Sequence, residues 1–248
     1  MVRGTGTLLN MATVLVGSGL GVLLGGRLPE RTRTTVTDAL GLVTLVIGGL
    51  NLASLSDDAL TDAVGPSAPL LIVLGALLVG GIVGSLLRLE DRLEGSGAWL
   101  QRRLSDSGSS EARERFVEGY VSASLVFVVG PLAVLGSLSD GLGRGIEQLA
   151  LKSTLDGFAA LAFAASLGWG VAASALSVGV VQGLLTLPGA LLGGLLPASQ
   201  VAGISATGGV LLLGVGLRLL DVKKVAVGDL LPALVVAPAL VALVTALR

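Results

Sequence analysis

The central feature of this sequence is an uncharged run that covers residues 157–217. The run is 61 residues long and contains no Asp, Glu, Lys or Arg. A helix rises about 1.5 Å per residue, and the hydrocarbon core of a bilayer is about 30 Å thick. The run is therefore long enough for about three membrane crossings. The sequence predicts an all-α, polytopic integral membrane protein.

Composition agrees with this class of protein. Hydrophobic residues make up 52% of the 248 residues and charged residues only 13%, against about 25% charged residues in soluble domains. The chain has no Cys and no His, which excludes disulfides, thiol chemistry and imidazole catalysis. A net charge of −1 gives no excess of positive charge that would favour binding to nucleic acid.

Further charge-free windows mark the other spans. These windows are 4–26, 39–56, 65–87, 119–139 and 230–247. The loops after the first and third windows are rich in Arg, whereas the loop after the second holds three Asp and no basic residue. Because basic loops stay in the cytoplasm, both termini are predicted to be extracytoplasmic. We interpret residues 4–26 as a retained transmembrane helix, because no A-x-A-like cleavage site closes them.

The charges also predict the number of crossings. The loop before 157–217 is predicted to lie outside and the basic pair at 223–224 inside, so the run crosses an odd number of times. One crossing cannot accommodate 61 residues, so the run is predicted to cross three times. Together with the five other windows, this predicts about eight transmembrane helices. Breaks are expected at 168–170 and 188–197, which contain Gly and Pro. Seven helices is the alternative, with 153–168 as a re-entrant half-helix.

Two blocks of the sequence recur at an offset of about 167 residues. Residues 21–29 match 189–197 at seven of nine positions, and residues 38–52 match 205–219 at seven of fifteen. The offset spans five predicted crossings, an odd number, so the two copies should point in opposite directions. This predicts a 3+2+3 inverted repeat. Its parts are repeat 1 at 1–88, a cytoplasmic amphipathic segment at 89–115, spans 4 and 5 at 116–168, and repeat 2 at 169–248.

The cytoplasmic segment alternates leucines and Trp99 with arginines at helical spacing. This pattern predicts two short amphipathic helices on the inner leaflet, ended by the Ser-rich stretch 105–110. Ser110 can then cap a helix that continues into span 4, which Gly130 and Pro131 should interrupt. A solvated linker is the alternative for this segment.

Glycines four residues apart recur in the predicted spans. The pairs are Gly17/Gly21, Gly21/Gly25, Gly80/Gly84 and Gly189/Gly193. Missing side chains let helix backbones touch within lipid. These glycines predict internal helix packing, with a homo-oligomer through Gly-rich helix faces as the alternative.

The strongest candidate for a functional site is a short polar cluster at the start of the uncharged run. Its members are Lys152, Ser153, Thr154 and Asp156. Lys152 and Asp156 are four residues apart and share one helix face. An ionised group within a membrane is costly and usually functional. Asn10, Gln182 and Thr207 are predicted to line the same site from the two repeats. The alternative is an ordinary ion pair at a helix start.

The sequence contains no enzyme signature, no metal-ligand motif and no cofactor motif, so we expect a non-enzyme without a cofactor. The leading hypothesis is a transporter or channel for a small polar solute or ion, because inverted repeats create a site near the membrane midplane. The alternative is a non-transporting scaffold or assembly protein that docks through 88–115. The predicted partners are the lipid bilayer, a small solute or ion, and no nucleic acid.

Several blocks together resemble the bacterial membrane-protein family catalogued as domain of unknown function 554, the YdfK/YqgA-like proteins. These blocks are GTGTLLN at 4–10, LPER at 28–31, SLSDG at 137–141, KSTLDG at 152–157, ISATGG at 204–209, LDVKK at 220–224 and LP at 231–232. The resemblance covers essentially the whole chain. It implies a multi-pass protein of the bacterial plasma (inner) membrane and no particular activity.

Overall fold

The computed structural model of the chain describes residues 3–25, 29–104, 110–128, 131–143, 145–192 and 196–248. All regular secondary structure in these ranges is helical, which confirms the all-α prediction. The α-helices are α1 (Thr5–Gly25), α2 (Glu30–Leu52), α3 (Asp58–Val64), α4 (Pro69–Leu86), α5 (Leu89–Leu104), α6 (Ser110–Val128), α7 (Pro131–Gly141), α8 (Glu147–Leu167), α9 (Gly170–Leu192), α10 (Ala198–Leu219), α11 (Val227–Leu230) and α12 (Ala233–Ala246), and a 3-10 helix at Ala53–Ser56 follows α2.

Six helical stretches of the described chain are long and apolar enough to cross a membrane. They are Thr5–Gly25, Thr34–Ser56, Pro69–Leu86, Gly170–Leu187, Ala198–Leu219 and Val227–Ala246. Helix α8 has 21 residues, which is also sufficient length, but it carries Glu147, Lys152 and Asp156. The count of about eight crossings therefore stays a prediction.

The helices bury small and polar side chains and expose large apolar ones. On α1 the buried residues include Asn10, Gly17 and Gly21, whereas Leu8 is 67% and Leu23 is 70% exposed. In water the leucines would face the core. This distribution is instead expected where lipid surrounds the protein, because burial of apolar side chains from lipid provides no hydrophobic driving force.

The predicted helix breaks occur where the chain loses hydrogen bonds or needs an unusual backbone conformation. The described part of α6 reaches Val128 and that of α7 begins at Pro131, so the predicted interruption of span 4 at Gly130 lies outside the described residues. Gly168, with a φ of 78°, ends α8, since the left-handed region favours glycine. Pro197 precedes α10. The breaks at Gly168 and before α10 confirm the division of 157–217 into three helical segments, whereas the interruption of span 4 stays a prediction.

The segment 89–115 differs from its prediction in the number of helices. We expected two short amphipathic helices, but α5 is a single helix. Its central Gly97 faces the ring of Tyr120, and the Ser96 hydroxyl donates a hydrogen bond to the Leu93 carbonyl (2.7 Å). These contacts stabilise a continuous helix through a stretch that local propensity disfavours. Helix α6 begins at Ser110, and the predicted helix cap by Ser110 stays a prediction.

The described helices form two compact units. The first contains α1, α6, α8 and α9 with α7, the beginning of α2 and most of α5, and the second contains α3, α4, α10, α11, α12 and the end of α2. In the first unit, α1 packs on α8 through its glycine face. A Cβ at Gly17 would strike the carbonyl of Gly157, and a Cβ at Gly21 would strike that of Leu161.

The second unit packs α4 and α10 against α12. Gly80 lies against Ala233, and Leu60, Val64, Ile72, Ala202 and Val241 form an apolar cluster. The Gly17/Gly21/Gly25 face and the Gly80/Gly84 face are therefore occupied inside the units, which agrees with the internal-packing interpretation. The homo-oligomer stays a prediction.

Some predictions concern positions that lie outside the described residues. They are residues 26–28 in the Arg-rich loop after the first window, the stretch 105–109, Gly130 and Gly193. The extents of the two predicted repeats and of the segments between them stay predictions.

Candidate functional site

An ion pair is buried on α8 of the first unit. Lys152 and Asp156 lie one turn apart, and Nζ is 2.6 Å from Oδ2. Their side chains are only 7% and 10% exposed. Burying two charges is costly unless they are paired and hydrogen-bonded. This is the pair that the four-residue spacing predicts.

Asn10 of α1 completes the pairing. Its Nδ2 donates a hydrogen bond to the same Oδ2 of Asp156 (2.9 Å). Asn10 is fully buried, and its Oδ1 has no hydrogen-bond partner among the described residues. The amide therefore connects α1 to the charged turn of α8 and keeps one acceptor unused.

The two hydroxyls beside the ion pair bond to their own helix. Ser153 donates to the Leu149 carbonyl (2.6 Å) and Thr154 to the Ala150 carbonyl (3.1 Å). Thr154 is exposed, because two residues along a helix correspond to a rotation of about 200° from Asp156. The structure therefore does not bring Thr154 to the carboxylate.

The remaining predicted site residues lie on α9 and α10. Gln182 of α9 is fully buried in the first unit, and both its amide atoms lack a hydrogen-bond partner among the described residues. Thr207 belongs to the second unit, where its hydroxyl donates to the Gly203 carbonyl (2.8 Å). Of the predicted set, Asp156 contacts both Lys152 and Asn10.

Asp140, at the end of α7, was not predicted as a site residue. Its two carboxylate oxygens accept hydrogen bonds from the backbone amides of Gly4 and Gly6, each at 3.0 Å. Asp140 is 2% exposed. It satisfies free amides at the N-terminus of α1, where a negative charge is favourable. The sequence signal for it was the SLSDG block at 137–141, which contributes to the family resemblance.

A second buried ion pair lies in the second unit and was also missed. Arg218 at the end of α10 pairs with Glu90 at the start of α5. Glu90 Oε2 accepts from the Gly228 amide (2.6 Å), and Asp229 Oδ1 accepts from the Glu90 amide (2.9 Å). The Glu90 carboxylate thus accepts from an amide in the first turn of α11, and the Asp229 carboxylate accepts from an amide in the first turn of α5. Arg218 ends the uncharged run, but no local pattern indicates a partner 128 residues away.

Exposed leucines, glycine-mediated helix contacts and buried ion pairs on long apolar helices define the class of this protein. It is a helical membrane protein. The chain belongs to the family described as Protein of unknown function (DUF554), whose model matches residues 5–242. This confirms the family resemblance of the sequence.

Two relatives cover nearly the whole chain. "Uncharacterized protein YqgA" of Escherichia coli (strain K12) is 34% identical over 241 residues, with 97% of each chain covered. "Uncharacterized membrane protein YdfK" of Bacillus subtilis (strain 168) is 26% identical over 236 residues, with 95% of each chain covered. No solved structure matches the chain.

Proposed function

We propose that the protein is a transporter or channel for a small polar solute or ion in the bacterial plasma membrane. One observation carries the proposal, namely the buried Lys152–Asp156 pair with Asn10 on helices surrounded by lipid. Ionisable residues inside membrane segments are rare and mark solute or ion pathways. An apolar pair of the same volume would serve stability as well or better, so stability alone does not explain the charges.

The relative directions of the helices support the predicted eight crossings. In the first unit, Gly17, Gly21 and Gly25 face Gly157, Leu161 and Ala165 in the same order, so α1 and α8 run parallel. This is the relation expected between the first and fifth crossings. In the second unit, Gly75 faces Leu240 and Gly80 faces Ala233, so α4 and α12 are antiparallel, as expected for the third and eighth crossings.

The order of the elements supports the repeat. Helices α1 to α4 comprise a long helix, a second long helix after Pro29, a short helix and a fourth helix. Helices α9 to α12 have the same order, with Pro197 before the second helix. Two copies of opposite orientation suit alternating access, in which one site opens to either side of the membrane. Extracytoplasmic termini are part of this proposal.

The test is transport by the purified protein in liposomes, with sodium, potassium, amino acids, sugars and polyols as probes. The double variant K152M/D156N removes both charges without leaving a buried ion unpaired. We expect the wild type to move at least one probe and the double variant to lose that transport while it remains monodisperse in detergent. Transport at the wild-type rate by the double variant would remove the ion pair from the pathway.

The docking scaffold is the second candidate function, and an exposed aromatic surface on α5 favours it. Trp99 is 53% exposed, and the Arg103 guanidinium lies 5.5 Å from the centroid of its ring. The variant W99A/R103A separates the two functions. If the protein is a scaffold, W99A/R103A should lose the partners that purify with the wild type, and no transport should depend on Asp156. If it is a transporter, W99A/R103A should retain full activity in liposomes.

A further inference from the structure

The first unit contains buried polar side chains with atoms that its fold leaves without hydrogen-bond partners. They are Thr7, Asn10 and Ser18 on α1, Ser137 on α7 and Gln182 on α9. Thr7 is 6% exposed and the other four are fully buried. The Thr7, Ser18 and Ser137 hydroxyls, Asn10 Oδ1 and both amide atoms of Gln182 have no hydrogen-bond partner among the described residues. Ser18 lies about 12 Å beyond Asn10 along α1. Native interiors contain few such groups, and each one calls for an explanation.

Helix contacts bring Ser137 to the level of Thr7. Gly6 of α1 and Gly136 of α7 both face the side chain of Leu149. The Gly6 amide also donates to Asp140 (3.0 Å) at the end of α7. Ser137 lies three residues before Asp140, about 4.5 Å deeper along the helix. Its hydroxyl is therefore at the depth of the first turns of α1.

Gln182 reaches the same depth from α9. The end of α8 packs on Gly25, α9 begins just after the Gly168 break, and Gly179 of α9 faces Met11. Helix α9 therefore runs antiparallel to α1. Gln182 lies about 4.5 Å beyond Gly179, at the depth of about residue 8 of α1. Thr7 and Asn10 occupy this turn, and Asn10 contacts the Lys152–Asp156 pair.

The chemistry of this polar layer, defined as Thr7, Asn10, Ser137 and Gln182 beside the Lys152–Asp156 pair, disfavours a charged ligand. The two formal charges cancel, so an ion would enter without a compensating charge. A cation would also leave the Gln182 amide N–H donors unsatisfied. The unused groups comprise both donors and acceptors. A molecule with hydroxyl or carboxamide groups satisfies both kinds.

We propose that the polar layer binds a small uncharged solute that carries several hydroxyl or carboxamide groups, and that this solute is the transported substrate. The inference rests on the proposed transport function and names its substrate class. The ion pair holds α1 and α8 together at the site through Asn10. The hydroxyls of Thr7 and Ser137 and the amide of Gln182 hydrogen-bond the solute.

The experiment measures solute entry into liposomes that contain the full-length protein. Glycerol and ribitol probe the hydroxyl class, urea and acetamide the carboxamide class, and sodium, potassium, lysine and glutamate the charged class. We expect at least one uncharged probe to enter at least tenfold faster than into empty liposomes, and the charged probes to enter no faster than into empty ones.

Variants connect this transport to the layer. Q182L should reduce uptake of the uncharged probe at least tenfold and raise the unfolding temperature, because leucine removes an unpaired buried amide at similar volume. S174A is the matched control, since Ser174 is also buried on α9 but donates to the Val171 carbonyl (2.6 Å). It should transport like the wild type. If Q182L does not fold, T7V tests the same layer from α1.

The outcomes separate the inference from the function that it refines. Entry of charged probes alone would overturn the uncharged substrate class and leave the transporter standing. Entry of no probe in either class would overturn both. Wild-type uptake by Q182L, or by T7V where Q182L does not fold, would show that these side chains serve only the fold and would overturn the assignment of the layer as the site.

Discussion

Among single residues, the Lys152–Asp156 pair shows how buried charges are compensated inside this protein. Asp156 Oδ2 accepts hydrogen bonds from both Lys152 and Asn10. The pair is local in sequence, but Asn10, which also bonds to Asp156, lies on another helix and is 146 residues away in sequence. Removing one partner leaves the other charge buried without compensation, which is far more costly than removing both.

This asymmetry predicts the stability of charge variants. D156N should destabilise the protein by about 3–5 kcal/mol because it leaves Lys152 unpaired, and K152M/D156N should recover most of that loss. Thermal unfolding in detergent, arranged as a double-mutant cycle, measures both. E111Q is the control, since Glu111 is 83% exposed in its pair with Arg115 (3.9 Å), and exposed pairs contribute about 0–1 kcal/mol. Equal losses in the single and double variants would contradict this account.

At the scale of elements, the contact between α1 and α8 depends on absent side chains. Gly17, Gly21 and Gly25 lie one turn apart, and each faces a backbone carbonyl of α8. A methyl group at any of these positions would overlap backbone atoms, which cannot move aside as a flexible side chain can. Because α1 and α8 also carry Asn10 and Asp156, the glycine face determines whether the polar groups meet.

Two neighbouring glycines test this contact. G21V should prevent folding or lower the unfolding temperature strongly, because its Cβ would strike the Leu161 carbonyl. G19A should be tolerated and slightly stabilising, by about 0.5–1 kcal/mol, because nothing lies within 4 Å of a Cβ there and alanine favours the helix. Size-exclusion profiles and unfolding temperatures in detergent compare the two. Similar stability of both variants would exclude the α1–α8 backbone contact.

For the whole molecule, the predicted orientation has a direct test because the chain contains no cysteine. Ser67 precedes the last helix of the first predicted repeat, and Lys224 precedes the last helix of the second. Both residues are exposed. If the repeats are inverted, the two positions lie on opposite sides of the membrane.

Cysteine labelling reads out these positions one at a time. A membrane-impermeant maleimide added to intact cells should label S67C, and it should label K224C only after the cells are permeabilised. This outcome follows from the acidic loop after span 2 and the basic pair at 223–224. Labelling of both variants in intact cells, or of neither, would refute the inverted repeat. A denatured sample confirms that each cysteine can react.

Much of the fold was predictable because its signals are local. The length of the uncharged segments indicated the membrane spans, and the breaks within 157–217 followed from Gly168 and Pro197, whose backbone limits do not depend on neighbours. The single helix α5 was not predicted, since Tyr120 packs on Gly97 from a distant part of the chain. The exposed position of Thr154 follows from helical spacing alone, two residues from Asp156.

The amino-acid sequence was sufficient to establish the membrane class, the family, the helix breaks within 157–217 and the ion pair one turn apart on α8. Each of these depends on residues that are close along the chain or on its composition. The packing of distant helices was needed to show that Asn10 meets Asp156, that Glu90 meets Arg218, and that the side-chain amide of Gln182 is buried without a hydrogen-bond partner in the described part of the chain. Periodicity shows which face of a helix is polar, but the partner on that face depends on how distant helices pack.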